Sequence, residues 1–387
     1  FALVSNDRFT PEQEACLDID VLVVGAGMAG SVMARQLAEA GRKVLVMERR
    51  RHVAGHCHDY RNEHGITVHT DGPHIFHTVN RDVWRYVNRF SSFYNFQHRV
   101  LSYAEGKLIN FPINRDTLAA VFGVELSTNE VHDFLAEQAS RATFNDPPQN
   151  FRDVVVSQVG ERLYEMFFKN YTRKQWERDP EQLDASVAKR IPVRENRDDR
   201  YFSDPYQGIP TGGYTKLVES FLDHPNIALM LGADFFDYRE RINAKLTVYT
   251  GPLDTFFDYK YEKLEYRSLK LEFVTLDQEW YQPAPVVNYP NDYEFTRISE
   301  FKYFLNEQSP KTTILIEYPQ AKGEPYYIVP TKENLERRDR YQAEVDKLEA
   351  KGTHAFIGRL AEYKYYNMDQ VIAEALERSK KIVEATR

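Results

Sequence analysis

Cysteine, glycine, basic excess and long apolar runs are all scarce in this 387-residue chain. Two cysteines, Cys16 and Cys57, cannot build a disulfide framework, and a reducing cytoplasm is the simpler expectation. Fifty Lys and Arg against 58 Asp and Glu leave a formal charge of −8. That balance argues against a protein built around nucleic acid, so an anionic partner needs a local arginine cluster. The most apolar stretch, Val21 to Ala34, carries glycines and is far short of the roughly 20 residues of a membrane span. The first residues show no basic region followed by an apolar core, so no signal peptide is expected. Glycine numbers 18, below the roughly 27 of average usage, whereas tyrosine numbers 25. Rings are abundant enough to line a pocket. With 42% apolar and 28% charged residues, a disordered or fibrous chain is excluded. At about 150 residues per domain the length predicts two to three domains.

Residues 1–17 read as a polar, irregular leader. From Ile19 the run IDVLVV has the continuous apolar texture of a fully buried parallel strand. It runs into GAGMAG, then into a helix with Val32, Met33, Leu37 and Ala38 near helical spacing, ending at Gly41. KVLVMER follows as a second strand. Residues 113–190 lean helical: Ser127 and Glu130 fit a capping box, and Val155, Val159, Leu163, Phe167 and Tyr171 recur at helical spacing. VRENRDDR, 193–200, reads as a solvated loop. From Val248 to Val329 short branched runs predict strands. Residues 331–351 read as an exposed charged helix, HAFIGRL as a strand, and DQVIAEALERSKKIVEA as a helix with Val371, Ile372, Ala375 and Leu376 inward.

Gly25, Gly27 and Gly30 spell G-x-G-x-x-G between a strand and a helix. The first permits the tight turn, the second lets backbone approach a pyrophosphate, and the third allows close helix–strand packing. The helix N-terminus offers free N–H groups and positive dipole. Glu48 ends the next strand, where an acid holds a ribose diol. The full set predicts a dinucleotide site.

After Glu48 come Arg49, Arg50, Arg51 and His52, then a second small-residue turn, Ala54-Gly55-His56. That order is similar to FAD-binding chains of the glutathione-reductase type, E-[KR]-x-x-x-x-G-G, with Ala54 in place of the first glycine. Gly358-Arg359 follows a late strand and precedes a helix whose N-terminus, near 367–370, would stabilise an anionic reduced flavin. FAD is expected over NAD. Elsewhere arginine mixes with tyrosine: YTRKQW, KRIPVR, DRYFSDPYQGIP, FTRISE, EPYY and GRLAEYKYYN. Arginine forks match phosphate oxygens and tyrosines supply faces and hydroxyls. Surface arginine packed on core tyrosine fits the same composition, and spacing alone does not choose.

The long motifs GAGMAG, DGPHIFHT, YTRKQWERDP, KRIPVR, YFSDPYQGIPTGGYTKL, YTGPLD, YRSLK, EPYY and GRLAEYKYYNMDQV choose. From Ile19 to the C-terminus the chain resembles the UDP-galactopyranose mutases of bacterial type. The resemblance implies an isomerase interconverting UDP-galactopyranose and UDP-galactofuranose, active with reduced FAD and without net redox. It further implies that N5 would attack the anomeric carbon as UDP leaves, that the galactosyl adduct would open and reclose through O4, and that UDP would return to displace the flavin. It implies Arg190 and Arg297 as the diphosphate clamp and, with His74 near the isoalloxazine, as the catalytic set. Tyr201, Tyr327 and Tyr365 resemble its hydroxyl donors, Tyr171 and Trp176 the uracil-binding and mobile segment, and Arg267 and Asn288 the sugar end; His98 falls at the substrate site. Arg359 resembles the contact to the FAD phosphates, and Asp234-Phe235 the contact to adenine. Gly25, Gly27, Met28, Gly30, Glu48, Arg49, His56, Ile75, Gly358, Tyr366, Asn367, Met368, Asp369, Gln370 and Val371 complete the implied FAD shell. The bacterial pattern more often has aspartate at Asn367 and asparagine at His56 and His98, so Asn367 removes a carboxylate near bound diphosphate. A homodimer in the cytoplasm, serving cell wall polysaccharide biosynthesis, is implied as well.

The expected fold is α/β: a Rossmann-like FAD-binding domain from discontinuous segments (18–90, 204–254, 342–387), a mainly helical substrate and dimer domain (91–190) and an antiparallel sheet domain (191–203, 255–341). Eight histidines crowd residues 52–98, but His74 and His77, three apart in a strand-like run, face opposite ways and cannot easily share a metal. Cys57 lacks a paired base for nucleophilic work, and no nucleophile elbow is present. Two rivals are weighed. An FAD oxidoreductase on the same fold needs no nucleotide clamp, and a flavin-free binding protein needs neither the glycines nor Arg359.

Overall fold

The apolar run expected from Ile19 forms the strand Leu17–Val24, inside a six-stranded parallel sheet. The computed structural model describes residues 2–3, 17–188 and 193–385. Strands lie in the order Ala2–Leu3, Ile227–Leu231, Val44–Glu48, Leu17–Val24, Ile242–Tyr249, His354–Phe356, every neighbouring pair parallel. Both sheet faces are covered, so Val44–Glu48 is buried throughout. Val21, Val23, Val44 and Val46 join the core under helix Met28–Glu39, and Leu22, Leu45 and Met47 join a cluster on the opposite face. The leader read as irregular contributes an edge strand at Ala2–Leu3; residues 4–16 lie outside the described residues.

Helix Met28–Glu39 packs against Met368–Ala385 and Tyr214–Leu222, so distant segments close over the first βαβ unit. Asp59 fixes the start of Tyr214–Leu222 by accepting the N–H groups of Tyr214 at 2.6 Å and Thr215 at 2.9 Å.

The second sheet has seven strands, in the order Tyr327–Ile328, Tyr266–Leu276, Thr312–Gln320, Arg297–Glu300, Val286–Asn288, Val100–Ala104, Lys107–Phe111. Its pairs are antiparallel except Val286–Asn288 with Val100–Ala104, which is parallel. Val100–Ala104 arrives over a long connection, where no tight hairpin forces an antiparallel direction. The sheet thus borrows two strands from the segment read as mainly helical.

That segment also contributes helices Arg115–Phe122, Thr128–Ser140, Phe151–Leu163 and Asn170–Trp176 around a core of Val155, Val159, Leu163 and Phe167. Ser127 and Glu130 form the expected capping box. The spacing over 155–171 predicts one continuous helix; instead the chain kinks at Gly160 (φ 79°, ψ 172°) and makes a π turn over Tyr164–Lys169. Gly160 lies against helix Thr128–Ser140, where a Cβ would sit 2.8 Å from that of Gln138. The charged helix Lys332–Ala350 packs on His354–Phe356. No helix among the described residues is long and apolar enough to cross a membrane.

Candidate active site

Between Leu17–Val24 and Met28–Glu39 the backbone is stripped of side chains. Gly25 has φ +103°, and a Cβ there would lie 2.1 Å from Thr250 Oγ1. A Cβ on Gly30 would lie 2.0 Å from the Gly25 carbonyl oxygen, so helix and strand approach as only glycine allows. Gly27 caps the helix without a side-chain hydrogen bond, which leaves first-turn N–H groups for a ligand. Across the turn stands Gly55 (φ +52°), whose Cβ would be 3.1 Å from Gly27 Cα. Ala54 takes φ +75°, a left-handed conformation that costs a non-glycine residue. Buried Glu48 accepts Ala26 N–H at 2.9 Å and Arg50 N–H at 2.8 Å, which holds the acid against the turn.

Three other segments converge here. Ala233 N–H donates to Glu48 O and Gly232 N–H to Arg50 O, beside Asp234, which caps Phe235–Tyr238. At Gly358 (φ +106°) an added Cβ would meet that of Ala29 at 3.4 Å, and Arg359 donates to the carbonyls of Tyr366 at 2.7 Å and Tyr326 at 3.2 Å. Helix Met368–Ala385 begins beside the turn Gly55–Cys57: Met368 Sδ is 3.6 Å from Cys57 Sγ, and Asn367 N–H donates to Gln370 Oε1 at 3.0 Å. A bare cradle, an uncapped helix start, an arginine and an acid fit the diphosphate and ribose of a dinucleotide. Cys57 itself is buried, which pushes its thiol up to about 12 and makes it a poor nucleophile.

Next to this cradle lies a cationic, aromatic pocket. Arg297 forms a two-pronged pair with buried Glu317, Nη2 to Oε1 at 3.0 Å and Nε to Oε2. Glu317 and the hydroxyls around it hold the guanidinium far above neutral, although burial opposes its charge. Burial pushes the hydroxyls of Tyr171, Tyr201 and Tyr327 up, and Arg297 draws each back. Tyr327 and Tyr365 also face Arg359, whose guanidinium is 5.7 Å and 4.9 Å from their rings. Asn288 is the cross-strand partner of Arg297.

Two histidines nearby, His74 and His98, are neutral near pH 7. Burial pushes His74 and His98 down to about 3, with smaller contributions from His69 and Arg359 on the first and Arg297 and His77 on the second. His74 Nδ1–H donates to Gly72 O at 2.8 Å, and its backbone N–H donates to His69 Nδ1 at 3.0 Å. The His74 proton therefore sits on Nδ1 and its Nε2 is an acceptor.

Other site residues fall less directly. Arg190 lies outside the described residues. Arg267 is buried and donates to Gln175 O at 2.8 Å, to Lys174 O at 3.4 Å and to Glu177 at 2.8 Å. It grips the end of helix Asn170–Trp176. Trp176 Nε1–H reaches Ile328 O at 3.4 Å, beside Tyr327. Arg49 pairs with Glu324 at the surface, Ile75 packs on the core under the parallel sheet, and His56 donates to Asp71 Oδ2 at 3.0 Å. Sequence reasoning missed Glu317, Asp71 and Tyr326. The signal for Glu317 is a lone acid inside the apolar strand TTILIEY; Tyr326 is the unclaimed tyrosine of EPYY.

A family model described as UDP-galactopyranose mutase matches residues 166–365, and one for an NAD(P)-binding Rossmann-like domain matches 23–90. A probable UDP-galactopyranose mutase of Klebsiella pneumoniae is 39% identical over 364 residues, covering 92% of this chain and 93% of its own. A dTDP-fucopyranose mutase of Escherichia coli is 38% identical over 370 residues, covering 92% and 96%. The crystal structure of a reduced UDP-galactopyranose mutase superposes with a TM-score of 0.75 at 16% identity, over 95% of this chain and 94% of the other.

Proposed function

Because the chain belongs to the UDP-galactopyranose mutase family of isomerases, we propose that it interconverts UDP-galactopyranose and UDP-galactofuranose with bound FAD. The observation that carries this is the cluster of Arg297, Tyr171, Tyr201 and Tyr327 against the glycine cradle and Arg359. FAD alone would be served by the cradle. The extra cation and hydroxyls make a second anion site, suited to a diphosphate.

Gly25, Gly27, Gly55, Glu48 and Arg359 would hold the cofactor. Bound in reduced form, FAD would supply a nucleophilic nitrogen toward the anomeric carbon with no net change of redox state. The chain's own groups do the rest. Arg297, with Arg190, binds the diphosphate and offsets the charge of the departing UDP, keeping it docked for return. Tyr201, Tyr327 and Tyr365 donate to diphosphate oxygens, Tyr201 and Tyr327 from partly buried positions and Tyr365 from the exposed rim. Tyr171 and Trp176 hold the base. Neutral His74 offers Nε2 as an acceptor, and neither it nor His98 supplies a proton near pH 7. The homodimer, the cytoplasmic setting and the role in cell wall polysaccharide belong to the same proposal.

The similarity to a dTDP-fucopyranose mutase makes base and sugar the part to test against a competitor. The purified protein should show a flavin spectrum and convert UDP-galactofuranose only after dithionite reduction, faster than dTDP-fucofuranose. Flavin without conversion of either sugar would favour an oxidoreductase, as in the amine oxidases similar over 94 residues. Arg190→Ala should lower turnover by orders of magnitude at unchanged flavin content; retained turnover would remove Arg190 from the clamp.

A further inference from the structure

We propose that Asp71 is a positioning residue that ties the cofactor cradle to the diphosphate pocket, an inference that rests on the reading of the site given above. Its carboxylate joins two chain-distant segments, the stretch 50–56 and Tyr326, to its own. Oδ2 accepts His56 Nδ1–H at 3.0 Å and Arg50 Nη1–H at 3.2 Å, and Oδ1 accepts the Tyr326 hydroxyl at 3.1 Å. His56 and Arg50 belong to the cofactor cradle and Tyr326 to the edge of the pocket. His56 follows Gly55, which faces Gly27 across the cradle. Arg50 follows Glu48 and also pairs with Glu324 at 3.0 Å. Tyr326 precedes Tyr327, and its carbonyl accepts from Arg359.

The backbone of Asp71 leads into the pocket as well. Gly72 has φ +99°, and a Cβ there would lie 3.4 Å from Glu317 Oε1 and 3.8 Å from Arg297 Nη2. The Gly72 carbonyl fixes the His74 proton. Burial works against the Asp71 charge, yet His56, Arg50 and Tyr326 together hold the carboxyl below its usual range. An ionised, mostly buried anchor with three donors couples their positions, because removing it releases all three at once.

Three variants test this: Asp71→Ala, Asp71→Asn and Tyr326→Phe. The readouts are FAD affinity of the apoprotein, by flavin fluorescence, and UDP affinity of the holoprotein, by calorimetry. Asp71→Ala should weaken both by about tenfold or more. Asp71→Asn still accepts from Tyr326 and should bring UDP affinity back to within about threefold of the original, with FAD affinity still low. Tyr326→Phe should weaken UDP a few-fold and leave FAD unchanged, and its effect should vanish in the Asp71→Ala background. Affinities within twofold in Asp71→Ala, or additive effects in the double variant, would overturn the proposal. Should Asp71→Ala not fold, Tyr326→Phe decides alone: no loss of UDP affinity, or equal loss of both ligands, overturns it. A protein that binds FAD and UDP but isomerises neither sugar nucleotide refutes the proposed reaction, while these titrations still judge Asp71.

Discussion

Arg297 and Glu317 stand directly opposite each other on the antiparallel strands Arg297–Glu300 and Thr312–Gln320. Glu317 is 1% exposed, so its charge has no solvent to fall back on. Arg297→Ala would strand that carboxylate, at a cost of about 3–5 kcal/mol. Stability loss would then masquerade as catalytic loss. Adding Glu317→Gln removes the stranded charge, so Arg297→Ala/Glu317→Gln should regain most of the urea midpoint and none of the turnover. If activity returned with stability, Arg297 would be serving the sheet and not the diphosphate.

Among the elements, the kinked helix pair of the insert is the most constrained by a single position. Gly160 combines φ 79° with a neighbour that leaves no room for a methyl group. Gly160→Ala therefore adds a left-handed alanine to a clash with Gln138, and should destabilise by about 2–4 kcal/mol. Urea denaturation checks this; a change below about 0.5 kcal/mol, the range of ordinary surface substitutions, would mean that the two helices simply shift apart. The same helix marks how far sequence carries. The strand–glycine–helix–strand unit with Glu48 was legible because every signal in it is local, as were the Ser127–Glu130 box and the inward face of Met368–Ala385. The π turn at Tyr164–Lys169 was not, because apolar residues at 159, 163, 167 and 171 satisfy a regular helix equally well. Glu317 needed the register of a sheet, and Asp71 needed segments that only the fold brings together. Arg267 was legible as an important arginine, but its hold on Lys174, Gln175 and Glu177 is tertiary. For the same reason the parallel pairing of Val100–Ala104 could not be read from a chain whose other strands in that sheet pair antiparallel.

Across the whole molecule, two buried histidines and the partly buried His74 set a common response to acid. Burial pushes His69, His74 and His98 each down to about 3. In the unfolded chain an imidazole takes its proton near 6.5. Between about pH 6.5 and 3 the unfolded state thus binds protons that the native state refuses, so stability is full above 6.5 and is lost as pH falls. One histidine contributes about 1.4 kcal/mol per pH unit in that window, and three together about 4. His58 and His354, also lowered by burial, act in the same direction. Asp59, Asp254 and the partly buried Glu362, whose carboxyls are raised by burial, oppose it at the acid end. Against a typical total of about 5–15 kcal/mol, the histidine slope dominates the first unit or two below neutrality. Urea midpoints should therefore fall steeply from pH 6.5 to 5 and be flat from 7 to 8. His98→Asn removes one of the three groups and should flatten the slope by about 1.4 kcal/mol per unit. An unchanged slope in that variant would mean that His98 already takes up its proton in the folded protein, against burial and the repelling charges of Arg297 and His77.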